Sequence, residues 1–117
     1  MVKNSFQVEA KPVSNGIKVY KRVLISAAEA PHFAMRMFTI EVGGNMPLHT
    51  NSVEHEQFVI RGRARIRIGQ EVYEVGPGDV VFIPAGVPHD YQTIGQEPFE
   101  FICVVPNLPD VTTILSS

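Results

Sequence analysis

Residues 55–75 read His-Glu-Gln-Phe-Val-Ile-Arg-Gly-Arg-Ala-Arg-Ile-Arg-Ile-Gly-Gln-Glu-Val-Tyr-Glu-Val, and their rhythm is that of strands. β-Branched and aromatic residues recur between isolated glycines, so the stretch predicts three short strands: His55 to Arg61, Arg63 to Ile68 and Glu71 to Val75. Gly69-Gln70 has the length and the leading glycine of a two-residue hairpin turn. That turn sets a register in which Ile66 faces Tyr73 in the core and Arg65 sits opposite Glu74 outside. Arg61, Arg63, Arg65 and Arg67 then share one face. Such a row could bind phosphate or nucleic acid, but its opposite face carries Ala64, Ile66 and Ile68, and Glu71 and Glu74 lie on the next strand. With a net charge of −2 over the chain, the row reads as a solvated strand face.

Working outward, Ile17 to Ile25 follows the turn signal Ser14-Asn15-Gly16, and Phe33 to Val42 ends at Gly43-Gly44; both read as strands. Ser26 to Pro31 between them offers at most one helical turn, cut off by the proline. A loop is expected over Gly43 to Pro47, then strands at Leu48 to Asn51, Val80 to Ile83, His89 to Ile94 and Phe99 to Val105. Nine glycines and nine prolines, spread at short intervals, leave little room for helices of ordinary length. The expectation is an all-β sandwich or barrel. At 117 residues the chain suits one domain, 1–117.

Hydrophobic residues at 44% and charged residues at 19% describe a soluble globular protein. The acidic balance gives no general attraction to nucleic acid or to an anionic membrane. One cysteine, Cys103, cannot form an intrachain disulfide; in the apolar run Phe99 to Val105 it reads as a small buried hydrophobe. Residues 1–9 hold no signal-peptide core, and no apolar run reaches transmembrane length, so a cytoplasmic address is the expectation.

Three of the four histidines fall on predicted strands with a polar residue two positions away: His49 with Asn51, His55 with Gln57, His89 with Tyr91. Residues two apart share a face, so three imidazoles could converge inside one barrel. Such a set suits a divalent transition ion, Mn, Fe, Ni, Cu or Zn. His32, beside Pro31 in a turn, reads as structural. Asp79, in the turn Gly76-Pro77-Gly78-Asp79, is expected to bond the turn backbone.

Two segments carry a family resemblance. Residues 43–62 stand as Gly43-x5-His49-x-Asn51-x3-His55-x6-Gly62, and residues 78–93 as Gly78-x5-Pro84-x-Gly86-x2-His89-x3-Thr93. These spacings are those of the two cupin signature motifs, and the gap between them has the length found in small single-domain microbial cupins. The chain therefore resembles a cupin, which implies a double-stranded β-helix, or jelly roll, with one metal near the barrel mouth. Three positions depart from the pattern: Asn51 stands for the second histidine, His55 for the glutamate, and Thr93 for the terminal Asn. Histidine in place of the glutamate resembles a subgroup that binds its metal with four histidines, so this chain looks like a four-histidine cupin with one ligand replaced.

The metal set implied by the resemblance is His49, His55 and His89, with Asn51 either a weak amide ligand or a residue lining the pocket. Glu54 and Glu56 flank His55, but parity sends both to the opposite face. Gln57 and Tyr91 are the candidates for substrate contact, the alternative being core polar residues that satisfy each other. Tyr91, with Glu56 second, is the candidate for proton transfer. The function this implies is a small metalloenzyme of the oxygenase, isomerase or lyase type acting on a small polar molecule. The alternatives are a metal or small-ligand sensor without turnover, and a structural barrel with a degenerate site. Phe58 and Ile60, on the face opposite His55, need a cover, supplied either by the N-terminal strands or by a second copy of the chain; a homodimer through that sheet is expected.

Overall fold

The computed structural model describes residues 1–115, among which ten strands form one curled sheet. After one 3-10 turn at Ser5–Gln7 come β1 (Lys11–Pro12), β2 (Ile17–Ile25), β3 (Phe33–Asn51), β4 (His55–Arg61), β5 (Arg63–Ile68), β6 (Glu71–Val75), β7 (Val80–Ile83), β8 (His89–Ile94), β9 (Phe99–Pro106) and β10 (Thr112–Ile114). The all-β expectation holds. Ser26–Pro31 makes only a turn, in which the Ser26 carbonyl accepts from the Glu29 and Ala30 amides.

The strand order is β6-β5-β8-β3-β9-β4-β7, with β2 and β10 also pairing β3, and β1 pairing β2. The first half of β3 is flanked by β2 and β9, its second half by β8 and β10. Two antiparallel layers, β2-β3-β9-β4-β7 and β10-β3-β8-β5-β6, therefore share β3 as a common corner. This is the jelly roll.

That shared strand corrects one expectation: Gly43 to Pro47 is not a loop but the middle of a 19-residue strand. The glycines bend the strand without ending it. Gly43 takes φ +81°, and a Cβ on Gly44 would stand 2.7 Å from the Ile17 carbonyl oxygen, so only glycine lets β2 and β3 approach at the corner. Farther along, the pairing with β8 runs Met46 to Tyr91 and then His49 to His89, one extra residue on β3. Pro47, which has no N–H to give to the ladder, sits inside this bulge.

The extra residue changes which side chains point inward. Before the corner the inner face carries Ala34, Arg36, Phe38 and Ile40; after it, His49 and Asn51 are the buried ones. Even numbers give way to odd because a one-residue slip turns every later side chain to the other face. On the other strands the parity read from the sequence stands. His55, Gln57 and Val59 are buried on β4, Ala64 and Ile66 on β5, His89, Tyr91 and Thr93 on β8, and Phe99, Phe101, Cys103 and Val105 on β9.

The hydrophobic core fills one end of the barrel around Ile40, Val59, Ile66, Ile83 and Phe99. Its edges are tied by side-chain bonds to the backbone: Thr93 Oγ1 donates to the Ile40 carbonyl at 2.8 Å, and Asp79 accepts from the Gly76 amide at 2.8 Å. The hairpin register is as expected, with Ile66 opposite Tyr73 and Arg65 opposite Glu74. Tyr73 is nevertheless 48% exposed, because β6 is the edge of its layer. The arginine row is solvated, and Arg61, Arg63 and Arg67 lie within 3.5–3.8 Å of carboxylates on neighbouring segments. No helix among the described residues is long and apolar enough to cross a membrane.

Candidate metal centre and ligand cavity

Between the two layers lies a cavity of about 200 Å3 whose lining includes His49, Asn51, His55, Gln57, His89 and Tyr91. All the residues singled out by pairing in the two motifs thus meet in one place. Each is held there by strand parity, with the Pro47 bulge supplying the parity for His49 and Asn51. His32 is exposed and absent from the lining. Glu56, the second candidate for proton transfer, is on the outer face and exposed, as is Glu54. Neither lines the cavity, so that candidacy falls.

Two of the imidazoles have their tautomer set by the backbone. His49 Nδ1 lies 2.7 Å from the Pro47 carbonyl oxygen and His89 Nδ1 2.9 Å from that of Val87. A carbonyl only accepts, so each Nδ1 carries the proton and each Nε2 presents a lone pair. The Nε2 atoms of His89 and His55 are buried without a hydrogen-bond partner. Burial holds all three rings neutral. It depresses His49 below its ordinary value, His89 to about 4, and His55, with Arg36 adding to the effect, to about 3.

Asn51 is oriented by residues far along the chain. Its Nδ2 donates to Thr112 Oγ1 at 2.8 Å and to Asp110 Oδ2 at 3.2 Å. Because a carboxylate is an acceptor only, the amide can face Asp110 only with its nitrogen. Its oxygen, Oδ1, is left buried and unpartnered. Gln57 Nε2 donates to the Tyr91 hydroxyl oxygen at 2.7 Å. Burial raises the Tyr91 phenol well above its usual range, so it stays protonated and can serve as a donor.

The donor chemistry fits a divalent transition ion: neutral nitrogen donors, two of them orphaned at Nε2, beside an orphaned amide oxygen. The side chains do not already converge. Among the described residues no three His, Cys, Asp or Glu groups stand as a ready chelating set. The His49 and His89 rings are in contact at 4.1 Å between centroids, with His55 5.9 Å from His89.

Among the lining residues that sequence reasoning missed are Lys21, Arg36, Asp110 and Thr112. A signal existed for the first two, since Lys21 alternates with Val19 and Val23, and Arg36 with Ala34, Phe38 and Ile40. A charge at an apolar parity is a charge facing inward. Asp110 and Thr112 had none, because the segment before β10 has no alternation.

The strand order, the paired histidine segments and the cavity between the layers define the class. The chain belongs to the cupin family: the Cupin_2 cupin-domain pattern spans residues 36–105. It is similar over its whole length to the polyketide cyclase RemF of Streptomyces resistomycificus, with 29% identity, a TM-score of 0.87 and 89% of that chain covered. It is also 31% identical over 86 residues to an uncharacterised protein of Methanocaldococcus jannaschii, covering 73% of this chain and 62% of that one. A third relative, 1-methylthio-D-xylulose 5-phosphate methylsulfurylase of Rhodospirillum rubrum, is 30% identical over 81 residues, covering 64% of this chain. The chain spans 62% and 52% of the length of these last two relatives.

Proposed function

We propose that this cupin is a metal-dependent enzyme acting on a small molecule inside the barrel, with His49, His55 and His89 holding one divalent transition ion and Asn51 Oδ1 beside them. The carrying observation is the set of buried, unpartnered atoms facing one cavity: Nε2 of His55, Nε2 of His89 and Oδ1 of Asn51. Leaving such groups unsatisfied costs about 1–3 kcal/mol each, a cost that ligation offsets. When bound, an ion with three neutral ligands supplies Lewis-acid polarisation of a substrate oxygen. The chain's own residues bind and orient. The Pro47 and Val87 carbonyls aim two imidazoles, Asp110 and Thr112 aim the amide, Gln57 fixes the Tyr91 oxygen, and the Tyr91 O–H holds a proton for the substrate. Similarity to a polyketide cyclase over the whole chain supports a catalytic role on an organic molecule within the barrel.

The test is uptake of Mn, Fe, Ni, Cu or Zn by purified protein, measured by elemental analysis, with His49→Ala and His89→Ala for comparison. One equivalent bound by the wild type and lost in both variants is expected; equal uptake by all three refutes the site. A sensor without turnover is the second reading. It is favoured by the engagement of the cavity's acid, since Asp110 is already bonded to Asn51 and Ser52.

The barrel's outer surface supports a homodimer. Phe58 on β4 is registered between Ile102 on β9 and Val80 on β7, and Phe82 lies next to Glu56. Phe58, Ile60, Val80 and Phe82 are all exposed. A second copy covering this sheet would remove them from water.

A further inference from the structure

The cavity has a cationic wall that the metal reading does not use. Lys21 on β2 pairs with Phe38, and Arg36 lies two residues from Phe38 on β3, so the two cations are diagonal neighbours on the inner face. Both line the cavity. Neither has a carboxylate partner among the described residues, in contrast to Arg61, Arg63 and Arg67 on the outer surface. Arg36 donates from Nη2 to Cys103 Sγ at 3.3 Å and lies 5.2 Å from the Phe38 ring centroid, while its Nε is buried without a partner. Burial, and then the charge of Arg36, depress the Lys21 ammonium.

The acids packed nearby do not answer this charge. Asp110, which lines the same cavity, accepts from Asn51, the Ser52 amide and the Ser52 hydroxyl. Glu100, on β9, is turned outward to Thr39 and Arg61. Two partly buried cations side by side without an anion are unfavourable. A ligand that brings the negative charge relieves both.

The shape of the rest of the lining describes the body of that ligand. Phe38 stacks on Phe101 at 5.3 Å and 16°, and Phe101 on Tyr91 at 5.2 Å and 20°. With Ile40 and Met46 they make the apolar part of the lining. We infer that the cavity takes a small organic anion, a carboxylate or enolate on an apolar body, with Lys21 and Arg36 holding the charged group and the Phe38, Phe101 and Tyr91 row the body. This names the substrate class of the proposed reaction and rests on that reading for its catalytic meaning, but the cation pair needs no metal.

The experiment is calorimetric titration of chelator-treated full-length protein with benzoate, salicylate and 1-naphthoate, against the neutral amides of the same bodies. At least one carboxylate is expected to bind about tenfold more tightly than its amide, with Lys21→Met and Arg36→Met each losing about tenfold. Lys21→Arg, which keeps the charge, should retain binding and shows that loss in Lys21→Met is not misfolding. Equal binding of acids and amides, binding unchanged in both Met variants, or no binding by any of the three acids overturns the inference. Metal uptake measured on the same samples separates the two readings. Anion binding without uptake sinks the metal centre alone, and uptake without anion binding sinks this inference alone.

Discussion

Asn51 is where the chain differs most usefully from a four-histidine cupin. Its side chain faces the cavity with Oδ1 free, so Asn51→His should place a fourth imidazole in the set and tighten metal binding by about tenfold or more. Unchanged affinity in a competition titration would mean that position 51 does not reach the ion. The buried histidines also make a stability prediction for metal-free protein. Unfolded, each takes up a proton below about pH 6.5; folded, His55 does so only near 3 and His89 only near 4. Between those limits the unfolded chain binds more protons, so stability is full above pH 6.5 and falls towards pH 4, by up to about 1.4 kcal/mol per pH unit for each histidine. Thermal melts should show the midpoint dropping over that window, and His55→Phe should flatten the slope; identical slopes would refute it. The three histidines were legible because their spacing sits within two framed motifs. What holds them in place was not, since the Pro47 and Val87 carbonyls and the Asp110 carboxylate act through geometry that no local pattern announces.

At the level of elements, strand ends were legible wherever a turn residue also ends the pairing, as at Gly69 and Gly78. The exception was β3, where Gly43, Gly44 and Pro47 are breakers in an isolated strand but make a corner and a bulge in one shared between two layers. That bulge is testable. Deleting Pro47 removes the extra residue and leaves Met46 and His49 two positions apart, so His49 stays opposite His89 but its Nδ1 loses the Pro47 carbonyl. Metal uptake should weaken by about tenfold while far-ultraviolet circular dichroism remains that of a β protein, and unchanged uptake would show that this carbonyl does not aim the ring. Gly62, between β4 and β5, has φ +75°, and a Cβ there would run into the Pro98 carbonyl. Gly62→Ala should therefore destabilise the fold by roughly 3 kcal/mol in urea unfolding, and a loss within error would mean the neighbouring turn yields freely.

For the whole molecule, the outer sheet predicts association. Val80, 79% exposed, and Phe82, 56% exposed, are the most exposed residues of the patch and lie on β7, the outermost strand of that layer, so Val80→Lys with Phe82→Glu should convert a dimer to a monomer in light scattering without loss of secondary structure. A monomeric wild type would remove the proposal. Composition could announce an apolar strand face but not its neighbours, because β4 meets β9 only after the chain has crossed both layers. The corner strand carries one more consequence, for the order of events in folding. β3 pairs with β2, which precedes it, and with β8, β9 and β10, which all follow. Three of its four partners emerge from the ribosome later, the last beginning at Thr112. Until β8 and β9 have been made, β3 has only β2 to pair with, so the barrel closes only after these later strands emerge, and refolding should be slow for a fold so rich in distant pairings.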